Sequence, residues 1–165
     1  MATLPIRVFG DPVLRQPTLA VEEIDDALRQ LAEDMLATMY AAPGVGLAAP
    51  QIGVQRRFFV YDIGDGPGAV VNPRIVETSG EWTYLEGCLS VPDLHWEIIR
   101  PARVHLVGIG LDGEEIDVEA DELLGRCFQH EVDHLDGKLL LARLDHADHK
   151  DAMRILRERA LEDGR

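Results

Sequence analysis

Apolar residues recur at helical spacing through IDDALRQLAEDMLATMYAAPG, at Ile24, Leu28, Leu31, Met35, Leu36 and Met39. Such a stripe predicts an amphipathic helix, with Asp25 as its N-cap and Pro43-Gly44 as its stop. A glycine-rich turn, GVGLAAPQIG, comes next. The pattern then changes to runs rich in β-branched and aromatic residues. RRFFVYDI and GAVVNPRIVE read as strands separated by the turn-forming GDGPG. EWTYLEGCLSVP reads as a strand and turn in which Pro92 ends the pairing. RVHLVGIGLDGEEIDVEA predicts a hairpin around Asp112-Gly113, with Ile116 and Val118 alternating on its second arm. From Asp121, a candidate N-cap, a helix runs to about Leu135, and Gly137 marks its end. A last helix covers roughly Asp148 to Glu162. A helix, then a run of strands, then helices predicts an α+β fold. Mainly antiparallel strands would surround a central helix carrying HEVDH, with one helix toward the N-terminus and one toward the C-terminus.

At 165 residues, with no repeats, low-complexity tracts or long linker, the chain reads as one domain spanning residues 1–165. A composition of 46% hydrophobic and 28% charged residues is that of a globular protein. The formal charge of −14 argues against binding DNA or an anionic membrane through the whole surface, but leaves room for a local basic patch. MATLPIRVFG lacks a basic segment followed by an apolar core, so no secretory signal is expected. No apolar run approaches the roughly 20 residues that span a bilayer. Two cysteines, Cys88 and Cys127, are too few for a secreted disulfide framework. These features predict a reduced, cytoplasmic setting with thiols free for chemistry.

The candidate chemistry lies in FQHEVDHLDG. Positions i and i+4 share a helix face, so His130 and His134 can grip one metal ion with Glu131 beside it. Catalytic sites of this kind usually take three protein ligands and keep a position open for water. A third histidine at the extended metalloprotease spacing would fall at position 140, where Leu140 stands. Glu158 is the alternative of an HExxH metallopeptidase, but it lies in a charge-rich segment where glutamates are mostly solvated. Cys127 sits seven residues before His134, about 10 Å along the axis, too far for a short thiol on a regular helix; a buried wall residue is its simpler reading. A structural site closed by Cys127 as a fourth ligand stays open as a non-enzymatic reading. Cys88, in EGCLSVP, is a strand-end thiol that can face the helix; an ordinary buried cysteine is its competing reading. A metal held this way lowers the pKa of a bound water and polarises a carbonyl, and Glu131 can act as general base, then acid. Hydrolysis of an amide-like bond is the reaction class implied.

GVGLAAPQ at 44–51, EGCLS at 86–90 and QHEVDH at 129–134 together resemble the peptide deformylases, in order and in spacing. The resemblance implies hydrolysis of the N-formyl group from the initiator N-formylmethionine of nascent chains, with release of formate. It implies Cys88, His130 and His134 as metal ligands, Glu131 as acid and base, and the Gln51 amide with the Leu89 backbone N–H as oxyanion donors. Gly44, Val45 and Gly46 would pair with substrate backbone; Val45, Leu123 and Cys127 would line the methionine pocket. Arg126, beside them, is unexpected in a pocket wall, and its stem would cover the rim. Fe2+ is the expected ion, with Zn2+, Ni2+ or Co2+ as substitutes.

Further residues carry weaker expectations. Asp133 and Asp136 stand near the metal helix face as candidate orienting groups, against the commoner reading as exposed helix carboxylates. Glu86 would share a strand side with Cys88 and pair with Arg100. No partner is identified for His95, His105, His146 or His149, so surface positions are their default. Lys150, Arg154 and Arg157 form a basic stripe on the last helix, opposite Met153, Leu156 and Ala160. Such a stripe can dock on ribosomal RNA, as the resemblance also suggests; a solvated charged face is the competing reading.

Overall fold

The computed structural model describes residues 2–163. Helix α1 spans Asp26–Ala41, and the Asp25 carboxylate caps it by accepting the Leu28 amide at 2.9 Å. Its predicted stripe is the buried face: Leu28, Met35 and Met39 are fully enclosed. Strands β1 (Gly46–Ala48), β2 (Phe58–Tyr61), β3 (Gly68–Ser79), β4 (Trp82–Cys88), β5 (Val91–Arg100), β6 (Arg103–Ile109) and β7 (Glu115–Asp121) follow, then α2 (Glu122–Leu135) and α3 (His146–Glu162). The expected α+β architecture is observed, and every strand pairing between these elements is antiparallel.

Five strands form one sheet in the order β1–β2–β3–β6–β7, while β4 and β5 pair as a separate ribbon. Side chains alternate across a strand, so consecutive apolar residues serve two cores. Leu47, Phe58, Val60 and Val71 face α1. Ala48, Phe59 and Val70 face α2 and enclose Phe128, Val132 and Leu135. Continuous apolar runs in β2 and β3 are thereby explained: both faces of the sheet are covered. A third cluster seats Ala152, Met153 and Leu156 of α3 against Val91, Leu94 and Trp96 of β5.

Two prolines sit where the ladder is broken. The register with β6 shifts between Val71 and Arg74, so Asn72 and Pro73 form a bulge. Asn72 adopts φ 51°, and its amide bridges both backbone groups of Val21, at 2.8 and 2.9 Å. Pro92 was expected to end pairing, and this is corrected: β5 continues to Arg100. Cys88 pairs with Val91 and Gly87 with His95, which leaves Pro92 within a bulge that needs no N–H from it. Behind that proline, VPDLHWEIIR escaped prediction as a strand because its apolar residues do not alternate cleanly.

Helix α2 ends in a Schellman arrangement: the Lys138 amide donates to Asp133 at 2.8 Å and the Gly137 amide to His134 at 3.1 Å. Gly137 takes φ 75°. Asp121 occupies the N-cap position without a side-chain cap bond. Helix α3 starts two residues before the sequence-based bound, because Asp145, not a later residue, caps the Asp148 amide at 2.8 Å. Among the described residues no helix is long and apolar enough to cross a membrane.

Candidate metal centre

Helix α2 is enclosed on nearly all sides, and it buries Arg126, Gln129, Glu131, Asp133 and His134 along with its apolar residues. So many polar groups out of water require partners. Most of those partners come from β4 and β5, and Asp133 also takes Arg143 from beyond the helix.

Cys88, at the end of β4, His130 and His134 each offer one ligand atom, and these atoms lie within 4.8 Å of one another. Cys88 Sγ stands 3.2 Å from His134 Nε2, which is 3.2 Å from His130 Nε2. On its far side His130 Nδ1 meets Glu86 Oε1 at 2.7 Å. An ionised Glu86 accepts there, so Nδ1 carries the proton and the Nε2 lone pair turns toward Cys88 and His134. Burial, the largest influence on the Cys88 thiol, pushes its pKa up, but the facing His134 and His130 rings outweigh it and hold the thiol well below its usual range. Burial likewise lowers His130, and its contacts with Cys88 and Glu86 reverse that and raise it well above the usual imidazole range. The two shifts describe one thiolate–imidazole attraction, with a shared proton between them whose place a metal ion would take. Converging lone pairs, an inward-facing imidazole nitrogen and a thiol disposed to ionise fit a divalent ion of intermediate softness.

Around this cluster the other expected residues take defined places. Glu131 is 2% exposed, and its Oε1 has no hydrogen-bond partner. Burial raises its pKa against the opposing influence of His130 and His134. Gln51 is buried; its Oε1 accepts the Ala48 amide at 2.9 Å. That bond turns Nε2 toward Ser90 Oγ at 3.1 Å and Cys88 Sγ at 3.7 Å. A cleft of about 670 Å³ opens beside these groups, lined in part by Gly44, Val45, Gly46, Leu89, Leu123 and Cys127. A Cβ on Gly46 would lie 2.5 Å from Glu131 Oε2 and 3.0 Å from Cys127 Sγ, and one on Gly44 2.8 Å from Leu89 Cδ1. The glycine-rich turn thus lets backbone lie directly on the site.

Cys127 is not in the ligand cluster. Its thiol lies 3.7 Å from the Val45 carbonyl, and burial, with Glu131 and Glu86 adding to it, pushes its pKa well above the usual value. Glu158 is on α3 and bonds Arg154 at 3.2 Å, so neither alternative ligand joins His130 and His134. Arg126, expected at the cleft rim, is instead 3% exposed. Its Nη1 donates to Glu86 Oε2 at 2.6 Å and to the Ile98 carbonyl at 3.1 Å, and Nη2 to the Trp82 carbonyl.

Glu86 pairs with Arg100 through two nitrogens, at 2.8 and 2.9 Å. Burial pushes the Glu86 carboxyl up, but the His130 and Arg100 contacts dominate and place it far below the usual carboxylate range. Asp133 is buried and takes Arg100 at 2.9 Å and Arg143 at 2.7 and 2.9 Å. It therefore reaches the ligands only through Arg100 and Glu86. Asp136 instead bonds Arg57 at 2.8 Å, half exposed, away from the cluster. His105 does find a partner, Asp117 at 2.6 Å, and His95 lines the cleft. Sequence reasoning missed Ser90, the partner of Gln51, and Arg143, the partner of Asp133. Ser90 lay in view within EGCLS, whereas nothing in LARLD marks Arg143.

The sequence model of the family described as polypeptide deformylase matches residues 3–150. The peptide deformylase of Acidothermus cellulolyticus is 49% identical over 158 residues, covering 96% of this chain and 88% of that protein. Among solved structures, a peptide deformylase from Legionella pneumophila superposes with a TM-score of 0.91 at 38% identity, covering 99% of each chain. The Ehrlichia chaffeensis peptide deformylase in complex with actinonin gives 0.91 at 35% identity, covering 96% of this chain and 98% of that one. The chain belongs to the polypeptide deformylase family.

Proposed function

We infer, from that membership, that the chain is a metal-dependent peptide deformylase. It hydrolyses the N-formyl group from the initiator N-formylmethionine of nascent polypeptides and releases formate. The observation that carries the assignment of roles is the convergence of Cys88, His130 and His134 ligand atoms beside the unpartnered Glu131 Oε1 at the head of the cleft.

In this reading residues 1–165 act as one catalytic domain, and Cys88, His130 and His134 hold the ion. The chemistry such an ion supplies when bound is Lewis acidity toward water and toward the formyl carbonyl. Glu131 takes the proton of the attacking water and returns it to the leaving amine, a buried carboxylate being suited to both directions. Gln51 Nε2 and the Leu89 backbone N–H donate to the formyl oxygen as it gains charge. The bond from Ala48 to Gln51 Oε1 supports this role, because it fixes which end of the amide faces Cys88. Gly44, Val45 and Gly46 receive substrate backbone as an added strand; β1 pairs only with β2 in its sheet, and its second edge remains available. Val45, Leu123 and Cys127 line the pocket for the methionine side chain.

Fe2+ is the ion of this reading; one thiolate with two imidazoles also accommodates Zn2+, Ni2+ or Co2+. Metal analysis of anaerobically purified protein with predominant iron supports that choice, and stoichiometric zinc alone opposes it. The partner is the nascent chain in the cytoplasm, with docking on ribosomal RNA through Lys150, Arg154 and Arg157 of α3. Arg154 already pairs with Asp151 and Glu158, which leaves Lys150 and Arg157 to supply most of the attraction. Ribosome co-sedimentation that survives deletion from Asp148 onward would sink the docking. For the activity, formate release from a formyl-Met peptide is measured anaerobically in metal-replete protein, with Glu131→Ala as control. Absence of formate, or full activity in Glu131→Ala, overturns the reading.

A further inference from the structure

Arg126 is a buried residue of the cleft wall whose chemistry the proposed reaction leaves unused. On α2 it falls with Leu123, Cys127 and His130 on the face that lines the cleft, and it alone among them is a permanent cation. The guanidinium is turned into the β4–β5 ribbon, over the rings of Trp82 at 5.1 Å and Tyr84 at 5.6 Å. Its Nη1 reaches Glu86 Oε2 at 2.6 Å, while Glu86 Oε1 receives His130 Nδ1 at 2.7 Å. We propose that Arg126 is a positioning residue that, from the wall of the cleft, fixes the Glu86 carboxylate and through it the imidazole of the ligand His130.

Charge balance does not require this second arginine. Arg100 already gives Glu86 a bidentate partner, with Nε and Nη2 at 2.9 and 2.8 Å. Nor is stability a sufficient reason, since buried ion triads are replaceable by packed apolar residues with little loss. An arginine selected for bonding alone would also have its donors used, yet the buried Arg126 Nε has no partner. What Arg126 adds is a fixed orientation. Arg100 holds the carboxylate from β5, and Arg126 holds it from α2, the element that carries His130. Bonds to the Ile98 and Trp82 carbonyls anchor the guanidinium itself. The carboxylate plane is therefore clamped from two elements, and the Nδ1 proton of His130 has a single direction to take. Residues that orient ligating histidines in this way typically change metal affinity about 10- to 100-fold when removed.

The inference rests on His130 being a ligand, and its test separates the two readings. Affinity for Co2+ is measured by chelator competition under argon in the wild type, Arg126→Leu, Arg126→Lys, Glu86→Gln and the Arg126→Leu/Glu86→Gln double variant. Formate release is followed in parallel on formyl-Met and formyl-Ala peptides. Arg126→Leu is expected to weaken Co2+ binding about tenfold and to lower kcat alike on both peptides. Arg126→Lys, which keeps the charge but not the planar fork, is expected to recover part of both. In the Glu86→Gln background the Arg126 substitution is expected to cost no further affinity. Unchanged Co2+ affinity in Arg126→Leu, or losses that simply add in the double variant, overturns the proposal, as does a change confined to KM for the methionyl peptide. Should Arg126→Leu fail to fold, Arg126→Met takes its place, and Co2+ affinity equal to the wild type's in that variant overturns the proposal too. A wild type that binds Co2+ but releases no formate counts against the proposed reaction and leaves this comparison intact.

Discussion

Gly46 has no room for a side chain, and the obstacle is Glu131. A methyl group there would stand 2.5 Å from Glu131 Oε2, closer than real contacts allow. Gly46→Ala must therefore push the carboxylate away or lift β1 from the helix. Because misplacing a reacting group by about 1 Å can cost ~10²-fold in rate, Gly46→Ala is expected to lower kcat for formate release by about that factor. Retained Co2+ affinity in the same variant would show that the ligands stayed in place. Gln51→Ala probes the opposite side of the cluster. It removes the amide that the Ala48 N–H orients, and a drop of roughly 10²–10³ in kcat is expected, the usual loss for one oxyanion donor. Unchanged kcat in Gln51→Ala would remove that residue from the reaction.

At the scale of elements, α2 depends on how it ends. It brings His130, Glu131 and His134 to the cleft only if it stops at Leu135 and turns. The turn uses Gly137 at φ 75°, where a Cβ would also meet the Arg15 carbonyl at 2.8 Å. Gly137→Ala combines a left-handed backbone with a backbone clash, and each such strain costs on the order of 1–3 kcal/mol. Urea denaturation should show a loss of at least about 1 kcal/mol, read as a lower midpoint at unchanged slope. A midpoint equal to the wild type's would mean that the Schellman turn is dispensable. The β4–β5 ribbon is the other element that the site needs. It stands outside the five-stranded sheet, and Arg126 and Asp133 of α2 tie its Glu86–Arg100 pair to that helix.

For the whole molecule, ion binding and folding are linked. Cys88 lies 46 residues from its contact His134 in sequence, so the triad exists only in the folded chain, and an ion that binds it stabilises the fold. At a free ion concentration near 100 Kd the gain is about 2.7 kcal/mol, or roughly 5–10 °C in Tm for a chain of this size. Chelation under argon should lower Tm by that amount and readdition of Co2+ restore it. Identical melting with and without chelator would argue that the cluster holds no ion. The N-terminal arm adds to the same integration. Arg7 donates to the Gln51 carbonyl at 2.6 Å and Phe9 to the Ser90 carbonyl at 2.8 Å, joining the turn that carries Gln51 to the one that follows Cys88.

Local pattern and local chemistry determined a good deal of this. Apolar spacing from Ile24 to Met39 and the Asp25 cap specify α1 without help from the rest of the chain, because capping and periodicity act within a few residues. The Asp112-Gly113 turn and the flanking alternation specify the β6–β7 hairpin for the same reason. HEVDH placed two imidazoles and a carboxylate on one helix face, since the spacing alone fixes that. What lay beyond the sequence were relations between distant segments. Pro92 reads as a strand breaker until the bulge opposite Cys88 shows that no N–H is wanted there. Arg126 reads as an intruder in a pocket until Glu86, forty residues earlier, turns it inward. Which cysteine meets the histidines, and with which ionisation, was decided by packing. Burial pushes both thiols up; at Cys88 two imidazoles outweigh it and lower the thiol, whereas at Cys127 Glu131 adds to it. Two thiols of one chemistry diverge because a pKa is set by the field of neighbours, and only the tertiary structure chooses the neighbours.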